Sequence, residues 1–146
     1  MSRETEALLL CASRAELVDK VIEPALQEGR LVVCDRFWDA TIAYQGYGRG
    51  LPIDSLMYLT MFAARRLSPD VTFLLHVPLD VSRQRLRGRS ADRLEGEANN
   101  FHERVALGYR KLAAVEPERF VVVDGTLPEE ELAVKIRTEA LSRWHG

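Results

Sequence analysis

Apolar residues between positions 4 and 27 fall at Ala7, Leu8, Leu10, Cys11, Ala15, Leu17, Val18, Val21 and Ile22. That spacing predicts a helix with a broad buried stripe. Pro24 should kink its last turns, and Gly29 is placed to end it. The uninterrupted run Leu31-Val32-Val33-Cys34 predicts a strand buried on both faces, as in a parallel sheet. Gly-Tyr-Gly-Arg-Gly at 46–50 reads as a flexible turn closed by Pro52, after which Asp54 should cap a helix reaching Arg66. A second strand is expected over 71–77, after the turn signal Ser68-Pro69-Asp70. A short helix should begin at Pro78, and residues 99–115 are amphipathic at helical period. A third strand is expected over 120–123, ending at Asp124-Gly125, and a closing helix over 128–144. Strands alternating with helices imply right-handed crossovers and a mostly parallel α/β sheet.

Composition narrows the function. The 146 residues are 47% hydrophobic, enough for a core and too many for a disordered chain. With 20 basic and 22 acidic residues the net charge is −2, which argues against a nucleic-acid coat or an anionic-membrane binder. No apolar run approaches bilayer length, and the polar start Met1-Ser2-Arg3-Glu4-Thr5-Glu6 is no secretory signal. Cys11 and Cys34 stand far apart without a C-x-x-C, and His76, His102 and His145 lack metal-binding spacing. The expectation is a reduced, soluble, cytoplasmic protein with one domain over 1–146.

Two clusters carry chemistry. Asp35-Arg36-Phe37 follows the first expected strand, where open α/β sheets place ligand residues. A bare Asp-Arg is often a surface ion pair. Here Asp39, Thr41, Tyr44 and Gln45 follow within ten residues, and such a set can seat a base, a sugar and a phosphate. The second cluster is Arg83, Arg85, Arg87, Arg89 and Arg93, five arginines in eleven residues. It reads equally as a solvated face or as a flap closing over an anion at about 83–95. The glycines at 46, 48 and 50 do not make a dinucleotide fingerprint. Cys34, Trp38 and Trp144 are read as packing residues, and His76 as a partly buried, satisfied histidine.

These strings occur in a recognisable order. Leu8-Leu9-Leu10-Cys11-Ala12-Ser13-Arg14, Asp35-Arg36-Phe37, Ala43-Tyr44-Gln45-Gly46, Ser68-Pro69-Asp70-Val71-Thr72, and Arg85-Leu86-Arg87-Gly88-Arg89 with Asp92-Arg93-Leu94-Glu95 follow one another along nearly the whole chain. The series resembles the bacterial thymidylate kinases, P-loop nucleoside monophosphate kinases that phosphorylate dTMP with MgATP. The resemblance implies a P-loop NTPase-like three-layer α/β sandwich, the reaction ATP + dTMP → ADP + dTDP, and a homodimer. It implies that Arg14 holds the thymine and Arg36 the dTMP phosphate, with Asp35 beside the magnesium. Thr41 and Gln45 would line the base pocket, and Tyr44 would pack on the sugar where a 2′-hydroxyl is excluded. Arg85, Arg87 and Arg89 would be lid arginines, Arg89 bracing the transferred group, and Asp124-Gly125 would lie near the adenine.

Two departures from the family pattern stand out. Leu10 occupies a place where an aromatic commonly stacks on thymine, which forfeits a stacking contribution of up to about 1.5 kcal/mol. The chain also has no Gly-Lys pair, since Lys20, Lys111 and Lys135 follow Asp19, Arg110 and Val134. The G-x-x-x-x-G-K-[ST] loop that cradles ATP phosphates is therefore expected to be missing from these residues, together with the strands beside it; an in-frame loop of that kind encoded upstream would make Met1 an internal start. Other readings kept open are another nucleoside monophosphate or deoxynucleoside kinase, and a non-catalytic binding or dimerisation fragment.

Overall fold

Ser2 opens the first helix, its hydroxyl accepting the Thr5 amide at 3.1 Å while Glu4 and Glu6 complement the helix dipole. In the computed structural model, which describes residues 1–86 and 95–143, α1 runs Arg3–Leu17. A π-helical stretch Val18–Ile22 joins it to α2, Glu23–Gln27. The wider turn comes directly before Pro24, whose ring would crowd the carbonyl four residues back in a regular helix. Gly29 ends the helix at φ 71, and the Arg30 amide reaches back to the Ala25 carbonyl at 2.9 Å, closing a Schellman-type cap. The expected stop is present, and a wider π-helical turn stands where the kink was expected.

Residues 1–68 and 104–110 form one of two compact units. It contains α3, Trp38–Thr41, a second π-helical stretch Ile42–Gly48, and α4, Ile53–Ala63. Ala7, Cys11, Val18 and Ile22 make the inner stripe of the first helix. They share a core with Ile42, Ala43, Leu56 and Ala63, all buried. Thr60 is fully buried at mid-helix and satisfies its hydroxyl by donating to the Leu56 carbonyl at 2.8 Å. Arg65 closes the far end on Asp19 and on Glu23.

The second unit holds residues 69–103 and 111–146. Here β1, Thr72–His76, pairs in parallel with β2, Phe120–Asp124, in the register Thr72 to Phe120 through His76 to Asp124. The helices are α5, Leu79–Leu86, α6, Glu95–Val115, which spans both units, and α7, Glu129–Arg143. Arg119 is buried and forks onto Glu116 at 2.8 and 2.9 Å while donating to Thr72 Oγ1 at 2.8 Å, which ties the start of β1 to the start of β2.

Several expectations need correction. Residues 31–34 are not a strand: Leu31 and Val33 are 63% and 86% exposed, and no ladder forms there among the described residues. An apolar run becomes a strand only where a neighbour accepts its backbone hydrogen bonds. For the same reason Cys34 is exposed rather than packed. The sheet is not covered on both faces, since Leu75 and Val122 are half exposed and His76 is exposed. Asp54 lies inside the first turn of α4, whose cap position is Pro52, with no side-chain cap. Residues 46–48 belong to a helical stretch with Gly46 and Gly48 buried, not to a flexible turn. Trp38 is buried as expected, whereas Arg87, Arg89, Arg93 and Trp144 lie outside the described residues.

Candidate functional site

The turn after residues 31–34 places Arg36 at φ 64, a left-handed backbone that a non-glycine residue adopts at some cost in energy. That backbone aims its guanidinium over the Tyr44 ring, with Cζ 5.0 Å from the ring centre. Asp35 and Arg36 are both exposed, so charge opposite to each can approach from solvent.

Arg14 enters the same unit from α1. Its Nη2 donates to Thr41 Oγ1 at 2.9 Å and to the Phe37 carbonyl at 3.3 Å, and its Cζ lies 5.7 Å from the Phe37 ring centre. Its other terminal nitrogen, Nη1, is buried and meets no hydrogen-bond acceptor among the described residues. Burial lowers the guanidinium's pKa, opposed by neighbouring Cys11 and buried Asp39, and burial pushes the Cys11 thiol up. An unmatched buried donor is costly unless a ligand oxygen completes it. Leu10 is 42% exposed and offers an open apolar surface on the same helix.

Gln45 is buried, but its amide is already engaged: Nε2 donates to Glu6 Oε1 at 2.6 Å. Glu6 also pairs with Arg49 at 3.4 Å. The second Nε2 hydrogen and the carbonyl of Gln45 are left for a ligand.

Three further residues complete this unit's site: Asp39, which the sequence places in the cluster, and Tyr109 and Arg104, which it does not single out. Asp39 is buried beside Arg14. Tyr109 of α6 meets the Tyr44 ring edge-to-face, centroids 6.4 Å apart at 81°. Burial, and next the neighbouring Tyr44, push its phenol up to about 12, while Arg36 acts in the opposite sense. Arg104 donates from Nε and Nη2 to the Gly48 carbonyl at 3.1 and 2.9 Å. A glycine-aromatic pair, Gly108-Tyr109, inside an amphipathic helix was the signal available for a close approach there.

In the second unit Asp124, Gly125 and Arg85 do meet. Arg85 Nη1 donates to the Gly125 carbonyl at 3.2 Å, and the Gly125 amide donates to the His76 carbonyl at 2.8 Å. A Cβ at Gly125 would stand 2.6 Å from Val77 Cγ2, so the backbone passes where only glycine fits. Asp124 Oδ1 accepts the Thr126 amide at 2.9 Å and its hydroxyl at 2.6 Å, and these bonds hold its carboxyl below the usual carboxylate range. No three His, Cys, Asp or Glu side chains cluster as a metal cage among the described residues. None of the described helices is long and apolar enough to cross a membrane.

A family model described as thymidylate kinase matches residues 1–136. The thymidylate kinase of Geotalea daltonii is 44% identical over 154 residues, taking in all of this chain and 72% of its own. That of Dehalococcoides mccartyi is 44% identical over 133 residues, 91% of this chain and 64% of its own. A crystal structure of thymidylate kinase from Ehrlichia chaffeensis superposes with a TM-score of 0.69 at 31% identity, covering 84% of this chain and 59% of that one.

Proposed function

Because the chain belongs to the thymidylate kinase family, we propose that its Arg14–Arg36–Tyr44 cluster binds dTMP as the acceptor of a phosphoryl group from ATP, giving dTDP. The observation that carries this reading is the buried, unmatched Nη1 of Arg14 beside Thr41. A pyrimidine carbonyl is an acceptor of the right kind for it, while Thr41 and the free carbonyl of Gln45 line the base pocket. Arg36 takes the 5′-phosphate by charge-assisted hydrogen bonds, and Tyr44 closes the sugar side.

Asp35 offers one carboxylate to a magnesium ion, which suits a metal that draws most of its ligands from phosphate and water. MgATP, when bound, supplies the transferred phosphoryl group. Arg85, Asp124 and Gly125 form the nucleotide loop on the donor side, and Arg87 and Arg89 brace the transferred group. The 146 residues contain no Gly-Lys pair, so they hold no P-loop lysine for the β- and γ-phosphates. The polypeptide therefore binds the acceptor and does not by itself turn over. Residues 1–136, matched by the family model, read as part of a nucleoside monophosphate kinase-like domain over 1–146 that works in the cytoplasm. A homodimer is supported by the apolar residues that α1 and α4 expose, Leu9, Tyr58 and Phe62 among them. Sedimentation equilibrium showing only monomer would remove that element.

Calorimetry with dTMP tests the central reading. Arg36→Ala should weaken binding by about 10- to 150-fold, corresponding to about 1.5–3 kcal/mol for a charged hydrogen-bonding group. An unchanged Kd sinks the assignment, and tighter binding of another nucleoside monophosphate would replace thymine as the base. In a coupled ADP-release assay the 146 residues should show no turnover with ATP and dTMP; normal turnover would overturn the donor-side argument.

A further inference from the structure

Residues 104–110 of α6 seat on the 42–48 stretch at three points. Arg104 forks both donors onto the Gly48 carbonyl at 3.1 and 2.9 Å. One turn later, a Cβ on Gly108 would stand 2.7 Å from Tyr47 Cδ2 and 2.9 Å from its Cγ, so glycine is what admits the helix to that ring. Next to it, Tyr109 sets its ring at 81° to that of Tyr44. Tyr44 in turn lies under the Arg36 guanidinium. The contacts form one chain, from the helix through two aromatic rings to the phosphate-binding arginine.

We infer that Tyr109 is a positioning residue for nucleotide selectivity: its ring fixes the angle of the Tyr44 ring, and so the wall that excludes a 2′-hydroxyl and the platform beneath Arg36. This rests on the reading of the cluster as a dTMP site. The ring, not the hydroxyl, does this, because an edge-to-face pair depends on the ring quadrupoles. A tyrosine ring held at one angle presents a fixed wall. Without the edge-to-face contact the ring loses one of the contacts that hold its angle, and the wall admits the ribose form more readily.

The test uses the full 146-residue chain and its Tyr109→Leu and Tyr109→Phe variants, with dTMP and ribothymidine 5′-monophosphate as ligands. Tyr109→Leu should narrow the ratio of the two affinities by roughly twofold to twelvefold, the size of one aromatic pair contact, and phenylalanine should restore it. Loss of folding alone weakens both nucleotides together and leaves the ratio unmoved. Aromatic carbon–proton spectra of ring-labelled tyrosine, with Tyr44 assigned through Tyr44→Phe, supply a second readout without nucleotide. The Tyr44 resonances should shift in Tyr109→Leu and return in Tyr109→Phe. An unchanged ratio, or equal weakening with the Tyr44 resonances unmoved, overturns the inference. If the unsubstituted chain binds neither nucleotide, the dTMP reading falls, and the Tyr44 resonances still decide the positioning role. Should the leucine variant fail to fold, Tyr109→Met fills the space without a ring and is read the same way.

Discussion

At the scale of single residues, the buried Tyr109 stands well away from its free state. Burial and the neighbouring Tyr44 push its phenol up to about 12 from an ordinary 10.0, so the folded chain holds this proton more tightly than the unfolded one. The contribution to stability is complete below pH 10 and is lost as pH rises through about 12. A labelled-tyrosine titration should show one ring titrating near 12, and Tyr109→Phe should abolish it and flatten the stability loss in that window. A Tyr109 midpoint near 10 would mean that the ring is solvated. Arg36 and Tyr44 were legible in the sequence as a pair because only eight positions separate them along the chain. Tyr109 was not: 65 positions separate it from Tyr44, and no local pattern announces an edge-to-face contact made by tertiary docking. The Gln45 amide was legible only by type, because its engagement by Glu6 also depends on packing between distant segments.

At the scale of elements, α6 and the 42–48 stretch show tertiary contact overruling propensity. Glycine inside a helix is about 1 kcal/mol worse than alanine, so Gly108→Ala should stabilise α6 if propensity decided the outcome. The added Cβ would instead meet Tyr47 at its ring root, 2.9 Å from Cγ, where a side chain has little room to yield. Overpacking of that kind costs about 1–3 kcal/mol, so the clash wins and the melting temperature should fall. Tyr47→Ala in the same background should recover part of the loss, as expected for residues in direct contact. A higher melting temperature for Gly108→Ala alone would show that the helix does not seat on Tyr47. The same override explains which elements could be read in advance. The long helices 3–27, 95–115 and 129–143 carry their period in the sequence and are present. Residues 31–34 have strand composition but no ladder partner among the described residues, and the glycines at 46 and 48 have turn composition but are buried in a helical stretch, where a Cβ on Gly46 would reach Ile53 Cδ1 at 2.5 Å. In both places composition reports preference, while packing and hydrogen bonding decide.

At the scale of the whole molecule, the two units differ in how much they bury. The helical unit contains Val18, Thr41, Ile42 and Thr60, all at most 1% exposed. The other unit rests on a two-stranded parallel sheet whose Leu75 and Val122 are 47% and 59% exposed, and no residue of α7 is buried. Two strands give little independent stability, and parallel pairing is slightly weaker per residue than antiparallel. Each exposed apolar side chain also withholds about 25 cal/mol per Å² of the burial that would stabilise the sheet. Local opening should therefore be easiest at β1 and β2, although a strand-and-helix alternation read from sequence makes the sheet the expected centre of the fold. Native-state hydrogen exchange should show the amides of Val18, Ile42 and Thr60 among the slowest, with those of residues 73–75 and 121–123 exchanging markedly faster. Added dTMP should slow exchange in the helical unit more than in the strands, because the residues proposed to hold it, Arg14, Arg36, Thr41 and Tyr44, all lie in residues 1–68. Strand amides more protected than the helical core would reverse this ranking. They would require the exposed faces of Leu75 and Val122 to be covered in solution, since a sheet this open cannot outlast a buried helical core on its own hydrogen bonds.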